Sequence, residues 1–252
     1  MARFDLTGKV ALVAGASRGI GEAIAHGLAE HGAAVICTSR KQADCAKVAE
    51  AIRAKGGKAS SAQLHLGELD HHDAVLAMIE KEHGRLDILI NNGATNPHYG
   101  PAHTLEPAAF DKTIEVNTRG PYFLTTKAYK LLRADGGGSV VNVASIDGIQ
   151  PAEQRVIYGM SKAALIAMTK GLAKEYSNKG VRVNALLPGF TDTKLASALK
   201  NNPEMQSFMD MNLAIKRMAQ PEEMVGAVLF MVSDEASYFT GQGMVVDGGA
   251  VI

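Results

Sequence analysis

Short apolar runs alternate along this chain with longer stretches whose apolar residues recur at helical spacing. Val10–Ala14, Ala34–Thr38, Ile88–Asn91, Ser139–Ala144 and Arg182–Leu187 each read as a short buried strand, most of them bounded by glycine-rich or polar turns. Between them, Ile20–His31, Gln42–Lys55, Asp73–Glu82, Pro107–Arg133 and Ile157–Asn178 carry helical patterns. Pro221 then opens a helix rich in Met, Val and Leu, and "GQGMVVDGG" supplies a last strand flanked by glycines. Strands regularly alternating with helices need right-handed crossovers, which make the sheet parallel and cover both its faces. The pattern predicts an α/β, doubly wound fold. With no long linker, low-complexity tract or internal repeat, residues 1–252 read as a single domain.

Composition narrows the class without naming a function. The 252 residues are 46% hydrophobic and 21% charged, with 26 basic and 26 acidic side chains. Zero formal net charge gives no electrostatic reason to expect nucleic acid or an anionic membrane as partner. No apolar run approaches the ~20 residues that span a bilayer, and the N-terminus passes from a charged start straight into a strand pattern, without the layout of a signal peptide. Cys37 and Cys45 are too few for a disulfide framework. A cytoplasmic protein with two free, packed thiols is expected.

The first strand runs directly into "AGASRGIGEAIA", which puts Gly15, Gly19 and Gly21 at a strand-to-helix turn. Side chains there would block the turn or hold the backbone away from a pyrophosphate. Glycines let phosphate oxygens reach the amides and the positive end of the helix. The spacing is G-x-x-x-G-x-G, which alone is a weak signal; its place after the first strand strengthens it. The second strand ends in "ICTSRK", where an NAD site places an acid for the ribose 2′-hydroxyl. Here stand Ser39 and Arg40, and Arg18 lies in the glycine loop. Alone, Arg40 would read as a solvated charge; with Arg18 and the missing acid it argues for a 2′-phosphate and NADP(H).

The most informative stretch is "SIDGIQPAEQRVIYGMSK", residues 145–162. Tyr158 and Lys162 share one helix face a turn apart. A phenol with pKa ~10 is a poor base near neutrality, and a neighbouring ammonium favours its phenolate. Ser145 follows the strand "SVVNVA" and should sit at the carboxyl edge of the sheet, with its hydroxyl free to donate to a substrate oxygen. No metal-ligand spacing such as H-E-x-x-H or C-x-x-C is present, so no metal is expected.

The order of these pieces resembles the short-chain dehydrogenase/reductase family nearly from end to end: Gly15–Gly21, "ILINNG" at 88–93, Asn117, Ser145, Tyr158-x-x-x-Lys162, "RVNALLPG" at 182–189, Thr193 and the closing "VDGG". The segments "LHLGELD", "NGATNPHYG" and "DEASYFTG" are most similar to carbonyl-reductase-like members. The resemblance implies a Rossmann-type sheet and catalysis by Asn117, Ser145, Tyr158 and Lys162. Lys162 would also bond the nicotinamide ribose, and Asn117 would hold a relay water. Cofactor contacts are implied for Gly15, Ser17, Arg18, Gly19, Ile20, Gly21, Ser39, Arg40, His65 and Leu66. Asn91, Gly93, Tyr158, Lys162, Pro188, Gly189, Thr191 and Thr193 complete that set, Thr191 and Thr193 holding the carboxamide. Residues 190–219 would form a lid, methionine-rich from 194 onwards. Ser145, Asp147, Gln154 and Phe190 would touch substrate, with Ile146, Gln150, Asn96, His98 and Tyr99 nearby. The family's usual assembly implies a homotetramer.

Three positions depart from the family pattern. Ala14 replaces a threonine that braces the turn, "NNGA" inverts the usual Asn-Asn-Ala-Gly, and His65 stands where an aspartate would touch adenine. The expected function is NADPH-dependent reduction of a ketone or aldehyde, reversible as alcohol oxidation. An NAD-dependent alcohol, polyol or steroid dehydrogenase is the nearest alternative. A non-catalytic NADP-binding sensor or scaffold is the second.

Overall fold

The computed structural model describes residues 4–194 and 203–252. One seven-stranded sheet runs in the order β3-β2-β1-β4-β5-β6-β7, and every neighbouring pair is parallel. The strands are β1 Val10–Ala14, β2 Ala34–Ser39, β3 Lys58–Gln63, β4 Ile88–Asn91, β5 Gly138–Val143, β6 Val181–Pro188 and β7 Gly243–Val246. From β1 the chain winds outward through β2 and β3, then returns to start β4 on the other side of β1. That reversal leaves a crevice beyond the carboxyl ends of β1 and β4, where open α/β sheets bind ligands.

The helices are α1 Gly19–Glu30, α2 Gln42–Ala54, α3 Leu69–His83, α4 Pro107–Ile114, α5 Gly120–Leu132, α6 Val156–Tyr176, α7 Pro203–Asn212 and α8 Val225–Val232. None of those described is long and apolar enough to cross a membrane. Period-two alternation in β1 sorts its side chains onto two cores. Ala11 and Val13 pack with Ile24 and Leu28 of α1, Val48 and Ile52 of α2 and Met231 of α8. Val10, Leu12 and Ala14 face the other way, onto Ile79 of α3, Leu124 of α5 and Leu172 of α6. The sheet is thus covered on both faces, as the sequence predicts.

Four elements differ from the sequence expectation. The strand β3, "KASSAQ", has no apolar run because it is a sheet edge with mostly half-exposed side chains. The helix expected over Pro107–Arg133 is interrupted by a π-helical segment, Glu115–Arg119, between α4 and α5. The helix expected at Asp73 begins four residues earlier, at Leu69. Pro221 opens a 3₁₀ turn, Pro221–Met224, that leads into α8.

The bottom of the sheet is pinned by Asp87, 4% exposed. It accepts the Val10 backbone N–H at 2.8 Å and a bond from Arg85 Nε at 3.0 Å. Cys37 and Cys45 are free and buried, and burial pushes the Cys37 thiol up to about 12, so it is inert packing.

Candidate active site

The glycine turn, the turn after β4, the end of β5 and the start of α6 converge at the carboxyl edge of the sheet. Gly15 has φ +89°, and a Cβ there would stand 2.6 Å from the Gly93 nitrogen. A Cβ on Gly21 would stand 2.1 Å from the Gly15 carbonyl oxygen. Neither position admits a side chain, and Gly93 is the partner that makes the first approach so close. A Cβ on Gly93 itself would stand 2.8 Å from Leu66 Cδ1, the end of a flexible side chain. The turn that lacks a threonine at Ala14 is braced from elsewhere: Asn92 Nδ2 donates to the Gly15 carbonyl at 2.8 Å. The sequence reading missed Asn92, although it sits inside the quoted "ILINNG".

Around the expected adenosine end, Arg18 precedes α1 and Arg40 follows β2, both exposed. Ser17 and Arg18 line a depression of about 330 Å³ with Glu22, Asp44, Lys47 and Val48. Lys47 is a further cation there, and the two acids partly offset it. The Ser39 hydroxyl is turned away, donating to the Lys41 carbonyl at 2.9 Å. His65 Nδ1 accepts the Gly67 N–H at 3.1 Å. Burial lowers the pKa of this imidazole, and the neutral ring then carries its proton on Nε2, as a donor. His65, Glu68 and Glu115 bring ligand atoms within 4.8 Å of one another. Lys112 Nζ, however, lies 3.4 Å from both Glu115 oxygens.

Asn91 and Asn117 turn out to be structural clamps. Asn91, 1% exposed, donates through Nδ2 to Thr125 Oγ1 at 2.9 Å and Asn142 Oδ1 at 2.8 Å. Asn142 in turn donates to Thr169 at 2.9 Å. This chain ties β4 and β5 to α5 and α6, and it leaves the buried Asn91 Oδ1 without a hydrogen-bond partner among the described residues. The Asn117 side chain accepts the Thr95 N–H at 2.8 Å and donates to the Thr95 carbonyl at 2.9 Å and Ser161 Oγ at 3.1 Å. Asn117 sits in the π segment, which explains an asparagine inside a long helical stretch.

The catalytic candidates come together at the end of β5. Ser145 Oγ accepts the Asp147 N–H at 3.1 Å, and its hydroxyl also bonds the Tyr158 phenol. Lys162 is 2% exposed, and its Nζ donates to the Val143 carbonyl at 2.8 Å. That ammonium lies 5.5 Å from the centre of the Tyr158 ring. Burial pulls Lys162 down to about 8, against support from the Asp147 charge. Burial pushes the Tyr158 phenol up to about 12, and the Asp147 charge adds to this, while Arg155 and the Ser145 hydroxyl pull it back. The sequence reading has Lys162 lowering the tyrosine pKa. The shift runs upward, because desolvation and the Asp147 charge oppose the phenolate more than Arg155 and the Ser145 hydroxyl favour it.

Asp147 is buried beside this group, and Ile146 with it. Gln150 and Gln154 are exposed, as is Tyr99. Gln154 adopts φ +62°, and its carbonyl accepts the Gly100 N–H at 3.0 Å. That bond brings the loop of Asn96 and His98 to the segment before α6. On the other flank, Thr191 and Ala219 form a parallel β-bridge, which closes the base of the expected lid. Within that segment residues 195–202 lie outside the described residues. Phe190 packs edge-on against Phe208 of α7, centroids 5.9 Å apart. Of the methionines in α7, Met209 is buried and Met211 is 78% exposed. A depression of about 940 Å³ forms a trough between α1 and Pro221–Val225. It passes Gly19 and Thr193 but does not contain Ser145, Tyr158 or Lys162.

Known proteins resemble this chain along nearly its whole length. Residues 15–251 match a family model described as enoyl-(acyl carrier protein) reductase. Dehydrogenase/reductase SDR family member 4 of Homo sapiens is 37% identical over 247 residues, covering 98% of this chain and 89% of the relative. Tropinone reductase-like 3 of Erythroxylum coca is 35% identical, covering 98% and 94%. Among solved structures, a gluconate 5-dehydrogenase from Burkholderia cenocepacia J2315 in complex with NADP and tartrate superposes with a TM-score of 0.94 at 30% identity, covering 98% and 97%. A 3-oxoacyl (acyl-carrier-protein) reductase from Agrobacterium tumefaciens C58 with NADP bound gives 0.92 at 32% identity, covering 98% and 96%. With the glycine cradle, the Ser145–Tyr158–Lys162 cluster and these likenesses together, the chain belongs to the short-chain dehydrogenase/reductase family of oxidoreductases.

Proposed function

We propose that the protein is an NADPH-dependent carbonyl reductase, reversible as an alcohol dehydrogenase. The observation that carries this reading is the Ser145 hydroxyl gathered with Tyr158 and the buried Lys162, at the edge of a sheet whose glycine turn leaves room for a pyrophosphate. The cofactor supplies a hydride when bound. Tyr158 gives its proton to the alkoxide that hydride transfer creates on the substrate, and Ser145 donates a hydrogen bond to the same oxygen. Lys162 would hold the nicotinamide ribose with its remaining donors and pass protons to Tyr158. Because the Asn117 amide is fully engaged, a relay water would rest on its main-chain carbonyl.

The choice of NADP(H) is supported by Arg18 and Arg40 and by the NADP bound in the two solved relatives named above. Ser17, Gly19 and Ile20 would cradle phosphate, with Ser39 and Leu66 flanking the adenosine. Pro188, Gly189, Thr191 and Thr193 would hold the nicotinamide end. His65 would donate to an adenine ring nitrogen, where an aspartate would accept from the amino group. Phe190, Gln154 and the segment 190–219 would cover a small-molecule substrate. Exposed Tyr122, Phe123, Val156 and Met160 on α5 and α6 suit a homotetramer built on those helices. Two reduced, buried thiols accord with a cytoplasmic setting.

The test needs no prior substrate. Nicotinamide fluorescence is followed on titration with NADPH and with NADH, then turnover is screened on aromatic ketones, hydroxyketones and keto acids. NADPH should bind much more tightly, and Arg40→Ala should weaken it. Tyr158→Phe should abolish most turnover while sparing cofactor binding. Equal binding of NADH would overturn the cofactor assignment, and near-normal turnover by Tyr158→Phe would overturn the mechanism.

A further inference from the structure

The 3₁₀ turn Ile146–Gly148, directly after Ser145, lies against the first turns of α6 backbone to backbone. A Cβ on Gly148 would stand 2.8 Å from the Lys162 carbonyl carbon, and one on Gly159 would stand 2.9 Å from the Asp147 carbonyl oxygen. Two glycines thus let the turn sit on the helix with nothing between them, and Asp147 occupies that seam. It is 3% exposed. Its N–H fixes Ser145 Oγ at 3.1 Å. Its Oδ2 is 3.1 Å from Arg155 Nη1, yet receives no well-formed hydrogen bond from any described group. A buried carboxylate left in this state is costly, and an ion pair alone repays that cost incompletely.

We propose that Asp147 is a positioning residue of the reaction: its buried carboxylate, latched to Arg155, keeps the proton on Tyr158 and the charge on Lys162, while its backbone aims the Ser145 hydroxyl. The charged and titratable groups around it among the described residues are Arg155 from the preceding loop and Tyr158 and Lys162 from α6. A negative charge at this point opposes phenolate on Tyr158 and supports ammonium on Lys162, which is the direction found for both. The two cations in turn oppose the burial that raises Asp147 itself. The consequence is a site kept loaded for proton donation, the step that carbonyl reduction needs. Neutralising Asp147 would release the Tyr158 proton at lower pH and favour alcohol oxidation there. This rests on the oxidoreductase reading above.

The experiment is a spectrophotometric titration of phenolate absorbance in the NADP⁺ complex of the wild type and of Asp147→Asn. The same titration of Tyr158→Phe is subtracted to isolate one tyrosine. Asp147→Asn should move the Tyr158 midpoint down by about one pH unit, equivalent to a tenfold change in phenolate at fixed pH. The pH profile of oxidation should follow, measured on the alcohol of the ketone turned over best in the screen. Asp147→Ser, smaller and also uncharged, should shift the midpoint the same way if the asparagine packs poorly. A merely structural role would lower kcat and leave the midpoint where it is. An unmoved midpoint in a wild-type-like fold overturns the inference and leaves the oxidoreductase reading intact. Normal turnover by Tyr158→Phe would instead overturn that reading, whatever Asp147 does.

Discussion

Lys162 allows a prediction in which stability and activity move in opposite directions. Holding its pKa at about 8 instead of 10.5 means that the fold disfavours the ammonium by about 3 kcal/mol at neutral pH. Lys162→Met keeps the length of the side chain and removes the charge. It also removes the bond to the Val143 carbonyl, which returns about 1 kcal/mol. A net gain of about 2 kcal/mol remains. For 252 residues the entropy of unfolding is about 0.5 kcal/mol/K, so the cofactor-free variant should melt about 4 °C higher at pH 7. The pH dependence gives the sharper test. Between pH 8 and 10.5 the unfolded chain binds more protons at this lysine than the folded one, so wild-type stability rises through that window. The advantage of Lys162→Met should therefore shrink as pH approaches 10.5, even though turnover is lost at every pH. Calorimetry or circular dichroism at pH 7, 9 and 10.5 would follow it. A variant that melts lower than wild type at pH 7, or an advantage that stays constant with pH, would refute the reasoning.

Other perturbations have equally definite outcomes. Asn92→Ala removes the brace on the Gly15 carbonyl and should cost about 1 kcal/mol of order in the turn, read as a roughly fivefold weaker NADPH titration. Gly15→Ala meets the Gly93 backbone at positive φ; it should lose about 1–3 kcal/mol of stability in urea unfolding and most cofactor affinity with it. Asp87→Ala strips a buried acid from the Val10 N–H and from Arg85. Its urea midpoint should fall by the equivalent of about 3 kcal/mol. Unchanged midpoints in the last two variants would show that these contacts contribute little to stability.

Most of the sheet was legible because its central strands are buried on both faces and read as unbroken apolar runs. The strand β3 was not, since an edge strand packs on few neighbours and "KASSAQ" keeps a loop-like composition. Residues whose role follows from chemistry at fixed spacing, such as the Tyr158 and Lys162 pair, were visible for the same reason that they work: a helix turn sets their separation. Asn92 and Asp147 act through partners far away in sequence or across a seam between elements. Asn92 reaches a carbonyl 77 positions back along the chain, and local pattern carries no trace of such a contact. The upward shift of Tyr158 was equally invisible, because desolvation is a property of the packed site and not of two neighbouring residues.

The π segment at Glu115–Arg119 has a consequence for how this helical stretch can vary. An α-helix turns by roughly 100° per residue, so one extra residue rotates everything downstream by about that amount. Upstream, α4 packs against α6; downstream, α5 presents Leu124, Ala128 and Leu131 to the core. The bulge lets these two faces keep separate phases. Deleting one residue between 115 and 119 would leave a smoother helix, with either Asn117 swung away from Thr95 and Ser161 or the apolar stripe of α5 swung away from the sheet. A length change that a surface loop would absorb without effect is therefore confined here to a choice between core and site.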